Sequence, residues 1–127
     1  MPTLTTKLIG KRVVLIEDEE DIREILIKFL QENLGAEVSS CADGDTGLNL
    51  VITTQPHLVL TDGELLNQGS GVEVVRQLQQ ADFKGKIVGM SGKAEIVEEF
   101  QSLGIPGLQK AFRLKELDEI INELFAD

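Results

Sequence analysis

The stretch His57-Leu58-Val59-Leu60-Thr61-Asp62-Gly63-Glu64 decides how this 127-residue chain is read. Residues 57–61, entered from Pro56, have the length and apolar content of a strand buried on both faces. The run ends in a carboxylate, Asp62, and passes into a glycine-bearing loop with Gly63, Gly69 and Gly71. Open α/β sheets place their chemistry at this position, just outside the carboxyl ends of the strands.

Other apolar runs end in the same way. Val13-Val14-Leu15-Ile16 is followed by Glu17-Asp18, Ile87-Val88-Gly89-Met90 by Ser91, and Leu108-Gln109 by Lys110. Three carboxylates, one hydroxyl and one lysine at four strand ends suggest a metal-assisted phosphoryl-transfer pocket.

Amphipathic segments alternate with these runs. Residues 20–34 carry Ile22, Ile25, Leu26, Phe29, Leu30 and Leu34 at helical spacing, with Gly35 as the stop. Residues 36–41 read as a second strand. Asp43-Gly44-Asp45 opens a second helix with Leu48, Val51 and Ile52 inward. Helices are expected over 71–81 (Val72, Val75, Leu78 inward), 94–103 (Ile96, Val97, Phe100, Leu103) and 114–125 (Leu117, Ile120, Ile121, Leu124). Strands are expected over 11–16, 57–61, 86–91 and 107–109. Five β-α units in succession call for a parallel sheet covered on both sides. Residues 1–10 read as a short polar arm and 11–127 as one domain.

The charge balance is 12 bases against 22 acids, net −10, and the bases are scattered. A grip on phosphate backbones or on an anionic membrane needs clustered bases, so neither partner is expected. Cys41 stands alone, which excludes an intramolecular disulfide, and reads as a small buried thiol at a strand end. No signal peptide and no apolar stretch of bilayer length is present, so a cytoplasmic location is expected. His57 reads as a polar strand start.

Glu17-Asp18-Glu19-Glu20-Asp21 is five acids in a row. A solvated helix N-terminus explains the last three, since acids there offset the helix dipole. Glu17 and Asp18 abut a strand that should be buried. Two unit charges ~4 Å apart at an effective dielectric of ~20 interact by about 4 kcal/mol. If Asp62 lies beside them, raised pKa values or a hard cation must relieve the repulsion. An all-oxygen donor set favours Mg²⁺ or Mn²⁺ over Zn²⁺.

Val13-Val14-Leu15-Ile16-Glu17-Asp18-Glu19, Pro56-His57-Leu58-Val59-Leu60-Thr61-Asp62, Ile87-Val88-Gly89-Met90-Ser91-Gly92 and Lys110-Ala111-Phe112, in this order, resemble the receiver domain of two-component response regulators. The resemblance covers about residues 11–126. It implies a flavodoxin-like (βα)5 doubly wound fold with a five-stranded parallel sheet in the order 2-1-3-4-5. It implies that Asp62 accepts a phosphoryl group from a histidine kinase or a histidine phosphotransfer protein. Asp18, Asp62 and the backbone carbonyl of Glu64 would then hold Mg²⁺, with Glu17 helping through water. Ser91 would hydrogen-bond the phosphoryl group and Lys110 would pair with one of its oxygens. The output implied is an altered protein–protein contact, through the face of helix 4, strand 5 and helix 5. The domain would catalyse its own phosphorylation and dephosphorylation without turning over an external substrate. With the chain ending after the fifth helix, a stand-alone receiver is expected, although 91–117 also looks like receivers attached to hybrid histidine kinases.

Four positions depart from the family pattern. Ala111 stands where Pro usually follows the lysine, which leaves either a trans bond with a shifted loop or a cis bond. Gly107 stands where an aromatic switch residue is usual, in a segment that looks one residue short, so output would run through the β4–α4 loop or helix 4, or be weak. The loop after Asp62 has Leu66 in place of a frequent Pro and looks one residue longer. Glu64 and Lys93 flank the path of an attacking water, and an ion pair between them would shield the phosphoryl group.

Two other readings compete. A phosphorylation-independent adaptor of receiver fold fits Gly107 and Ala111, but gives no reason to keep the acidic cluster. A phosphatase of haloacid dehalogenase type would place its nucleophile on the first strand, not the third.

Overall fold

A computed structural model describes residues 8–65 and 70–126. Five strands form one parallel sheet: β1 Arg12–Ile16, β2 Glu37–Cys41, β3 Leu58–Asp62, β4 Lys86–Ser91 and β5 Gly107–Gln109, in the order β2-β1-β3-β4-β5. The central strands are the near-continuous apolar runs of the sequence, because helices cover both of their faces. Five helices follow the strands: α1 Glu20–Lys28, α2 Gly44–Thr54, α3 Gly71–Gln80, α4 Ala94–Ser102 and α5 Leu114–Leu124.

The strand period of two divides the core into two layers. Val13, Leu15, Leu58, Leu60, Val88 and Met90 face α1 and α5, where Leu26, Phe29, Leu30, Leu117 and Ile121 meet them. Val14, Ile16, Val59 and Ile87 face the opposite way, against Val51 of α2, Val72, Val75 and Leu78 of α3, and Phe100 of α4. Leu8, assigned to the arm by its sequence, is wholly buried in the first layer, and its carbonyl accepts from the Lys11 N–H at 2.9 Å. The rest of the arm, residues 1–7, and Leu66 and Gly69 in the loop after Asp62, lie outside the described residues.

Local chemistry fixes the helix ends. The Asp43 carboxylate accepts from the Thr46 N–H at 2.8 Å and the Ser70 hydroxyl from the Glu73 N–H at 3.1 Å, which starts α2 and α3. Arg12 closes α2 by donating to the carbonyls of Thr54 and Gln55 at 2.9 and 3.0 Å. His57 Nδ1 accepts from the Arg12 N–H at 3.0 Å, which gives that histidine a structural role at the strand start. The segment expected as one helix over 20–34 changes pitch, running from α1 into a π-helical stretch at Phe29–Asn33 before Gly35 turns at φ +77°.

One residue of the α1 stripe and one inward assignment in α2 fall outside the core. Ile25 is 57% exposed and Ile52 is 71% exposed. Both sit on helical spacing, but the apolar stripes of α1 and α2 are narrower than their apolar residue content. Cys41 ends β2 half-buried, and burial pushes its thiol pKa up.

Candidate phosphoacceptor site

The sheet register brings the chemistry-bearing ends to one edge. Ile16 pairs with Thr61, Asp62 with Met90, and Ser91 with Gln109, so residues 17, 62, 91 and 110 leave neighbouring strands at one level. Main-chain bonds tie these ends together: Gly63 N–H to the Met90 carbonyl at 2.7 Å and Lys110 N–H to the Ser91 carbonyl at 2.8 Å.

Asp62 is 4% exposed. Its Oδ1 accepts from the Glu64 N–H at 3.1 Å and its Oδ2 from Lys110 Nζ at 2.9 Å. Glu17 is wholly buried. Its Oε2 accepts from the Glu19 N–H at 3.1 Å, and the Arg23 guanidinium holds its main-chain carbonyl at 2.8 Å. Lys110 Nζ lies 2.7 Å from Glu17 Oε1, close enough for an ion pair, yet no hydrogen-bond donor is aligned on that buried oxygen. Glu19 Oε1 is farther from the same ammonium, at 3.8 Å.

Electrostatics follows from this crowding. Burial pushes the Glu17 carboxyl up to about 7, with Lys110 pulling the other way and Asp62 adding to the rise. Burial would lower the Lys110 pKa, but the Asp62 and Glu17 carboxylates beside it outweigh burial and hold it above its ordinary value.

Glu17, Asp18 and Asp62 each offer a carboxylate oxygen, and the three oxygens lie within 4.8 Å of one another. One of those residues carries the buried Oε1 with no aligned donor. An all-oxygen cluster in which two buried carboxylates share one ammonium suits a hard divalent cation. A cleft of about 490 Å³ opens over the cluster, lined by Asp18, Glu19, Ile22, Asp62, Glu64 and Gly92 with Lys110 and Ala111.

Ser91 ends β4, fully buried, and its hydroxyl oxygen accepts from the Lys93 N–H at 3.0 Å. The Lys110–Ala111 peptide is cis, the second of the two arrangements that Ala111 leaves open. The ion pair suggested by the family pattern is formed: Lys93 Nζ lies 3.1 Å from Glu64 Oε2, and Glu64 lines the cleft. Gly107 lies in β5 against α4, where a Cβ would stand 2.9 Å from the Val97 carbonyl. Sequence reasoning passed over Arg23, which fixes the Glu17 main chain. Its signal was a lone base two residues after a run of five acids.

A model of the response regulator receiver domain matches residues 13–122. The chain belongs to the response regulator receiver domain family. The transcriptional regulatory protein DltR of Streptococcus agalactiae is 27% identical over 110 residues, covering 87% of this chain and 48% of that protein. The alkaline phosphatase synthesis regulator PhoP of Bacillus subtilis is 30% identical over 86 residues, covering 68% of this chain and 35% of that protein. The chain thus spans about half or less of the length of these relatives. The response regulator TrrA of Thermotoga maritima, solved in complex with Mg²⁺ and BeF, superposes with a TM-score of 0.79 at 28% identity, over 90% of this chain and 98% of that one.

Receiver domains are phosphoacceptors, not turnover enzymes on an external substrate, and they bind Mg²⁺ at an acidic pocket. They interact with histidine kinases and phosphotransfer proteins. Among the described residues of this receiver domain, no helix is long and apolar enough to cross a membrane.

Proposed function

We propose that this receiver domain takes a phosphoryl group onto Asp62 from the phosphohistidine of a histidine kinase or a histidine phosphotransfer protein, and that the modified domain changes its protein–protein contacts. The observation that carries this reading is the buried Asp62 carboxylate, held 2.9 Å from Lys110 Nζ and grouped with Glu17 and Asp18. An Asp62 oxygen attacks phosphorus, the P–N bond breaks, and the imidazole leaves with the bonding electron pair.

Each neighbour has a task that its present contacts prefigure. Lys110 already neutralises Asp62 and stays beside it as a point charge for a phosphoryl oxygen. Ser91 uses its oxygen as an acceptor for Lys93, which leaves its proton free to donate to the same group. Glu17, Asp18, Asp62 and the Glu64 carbonyl would hold Mg²⁺. When bound, that ion supplies positive charge next to the transferred group. With the cation in place Glu17 is held ionised, against the burial that pushes its pKa up to about 7.

The approach of the donor is supported by a groove beside the cleft. Ile22, Ile25, Leu26, Ala111, Phe112 and Leu114 line about 260 Å³ that shares Ile22, Lys110 and Ala111 with the acidic cleft. Ile25 and Leu114 are two of the exposed large apolar residues on the chain. A helix presenting a histidine can lay its apolar face there and bring the imidazole to Asp62. Downstream contact is assigned to the face of α4, β5 and α5. Residues 11–127 act as one receiver unit, behind the arm of residues 1–10, in the cytoplasm.

Intact-mass spectrometry after incubation with acetyl phosphate tests the reading. A single phosphoryl gain is expected with Mg²⁺, and none is expected in Asp62→Ala or after chelation. No gain in the wild type, with acetyl phosphate or with a histidine phosphodonor, would leave the phosphorylation-independent adaptor as the better account.

A further inference from the structure

Two glycines lie against the Phe100 ring and a third against its Cβ. A Cβ placed on Gly89 would fall on the Phe100 ring itself. On Gly63 it would meet Ile96 of the same helix first and then stand 3.1 and 3.3 Å from Phe100 Cε2 and Cζ, and on Gly107 it would meet Val97 first and stand 3.5 Å from Phe100 Cβ. Phe100 belongs to α4 and is wholly buried. The three glycines lie on three neighbouring strands: Gly63 just past the end of β3, Gly89 within β4 and Gly107 at the start of β5. Gly63 follows the phosphoacceptor Asp62, Gly89 lies two residues before Ser91, and Gly107 lies three residues before Lys110.

We propose that Phe100 is the relay between the phosphoacceptor pocket and α4: a ring supplied by the helix does the work for which no aromatic side chain is available at position 107. This rests on the phosphoacceptor reading of Asp62. The contacts leave little slack, since the ring meets main chain where any other residue would interpose a side chain. Close-packed interiors pass on displacements instead of absorbing them. The floor under the ring is also tied together, by Gly63 N–H to the Met90 carbonyl at 2.7 Å and Gly89 N–H to the Pro106 carbonyl at 2.9 Å. A group bound on Asp62 that draws in Ser91 and Lys110 therefore moves the floor, the floor moves the ring, and the ring moves α4. Gly107 adds a second contact in the same direction, because its missing side chain lets the Val97 turn of α4 settle on β5.

The test uses the full chain labelled with ¹⁵N, with beryllofluoride and Mg²⁺ as the phosphoryl mimic. Binding is read at the amides of Gly63 and Lys110, and the relay at the amides of residues 94–102. In the wild type both sets shift. In Phe100→Leu the mimic still binds and the α4 shifts are lost. Phe29→Leu makes the same truncation in the other core layer and keeps them, which separates relay from general loosening. In Gly89→Ala, where the new methyl displaces the ring, α4 amides shift before any mimic is added. This last variant decides the matter if Phe100→Leu does not fold. The relay is overturned if α4 responds equally in Phe100→Leu, if Phe29→Leu loses the response as well, if Gly89→Ala leaves α4 unmoved, or if the wild type binds the mimic while α4 stays still. Each of those outcomes leaves Asp62 standing as phosphoacceptor. Failure of the wild type to bind the mimic at all instead removes the phosphoacceptor reading, and the relay falls with it.

Discussion

Lys110 Nζ stands 2.7 Å from the buried Glu17 Oε1 and, through the same ammonium, 2.9 Å from Asp62 Oδ2. One cation thus holds together two carboxylates that would otherwise repel each other in a site largely closed to water. Removing a single partner from a buried ion pair costs about 3–5 kcal/mol. Lys110→Ala should cost less, roughly 2 kcal/mol, because Glu17 can take up a proton in its place. Most of that loss should return in millimolar Mg²⁺. Urea unfolding followed by circular dichroism, with chelator and with Mg²⁺, measures both; the chain has no Trp or Tyr for fluorescence. Equal losses in the two conditions would mean that no cation substitutes for the lysine.

The Glu17 carboxyl, raised from 4.5 to about 7 by burial, makes the metal-free protein sensitive to pH. The folded state keeps a proton that the unfolded chain has already released. The stabilisation from this group is complete below the unfolded value of 4.5 and is lost as pH rises through the folded value of about 7. The loss amounts to at most about 3 kcal/mol. Lys110, whose pKa is raised, keeps its contribution across this window and loses it only at alkaline pH. Asp43, whose pKa its bonds to Thr46 lower, keeps its contribution across this window and loses it only at acid pH. Stability in chelator should fall between pH 5 and pH 8, and Glu17→Gln should flatten that slope. A slope retained in Glu17→Gln would assign the effect elsewhere.

Glu64, which lines the cleft, is paired with Lys93 at 3.1 Å, with both side chains about half exposed. An exposed pair is worth up to about 1 kcal/mol, so its loss should shorten the phosphoryl lifetime by at most roughly fivefold. Glu64→Ala and Lys93→Ala should act to the same extent, and the double variant should add nothing further. Loss of the phosphoryl mass with time, in excess Mg²⁺ and after removal of the donor, measures it. A lifetime unchanged in Glu64→Ala sinks the shielding role.

The five strands could be read from the chain as short apolar runs with polar or charged ends, whereas their order and the meeting of Glu17, Asp18, Asp62 and Lys110 followed from the resemblance those runs carry. Val59 and Leu60 can be buried on opposite faces only inside a covered sheet, and the residue after such a strand has few places to go. Ile25 and Ile52 could not be read in the same way. Helical spacing says that residues share a stripe, not how wide the packed part of the stripe is. The Phe100 cradle was equally hidden, because Gly63, Gly89 and Gly107 lie far apart in sequence and each alone reads as a loop or strand glycine. Only the register that sets Thr61 beside Gly89 and Gly89 beside Gly107 makes them one surface.

The tightest glycine at the site lies outside its chemistry. A Cβ on Gly71 would fall directly on the main-chain carbonyl of Asp62 and stand 3.0 Å from Gly63 Cα. Gly71 N–H also donates to the Gly63 carbonyl at 3.0 Å, so the start of α3 is pressed against the turn that carries the phosphoacceptor. A flexible side-chain end could give way; main chain bonded into β3 cannot. Gly71→Ala must therefore push α3 off the sheet or tilt the Asp62 turn, and overpacking of this kind costs about 1–3 kcal/mol. Tilting the turn misplaces the Asp62 carboxylate, so phosphorylation by acetyl phosphate should slow by more than the stability loss explains. Gly92→Ala is the matched control: it lies in the same cleft, and a Cβ there meets nothing within 4 Å. That variant should keep both its stability and its phosphorylation rate. Slowing in both variants would point to the cleft lining in general, and slowing in neither would show that α3 yields without disturbing Asp62.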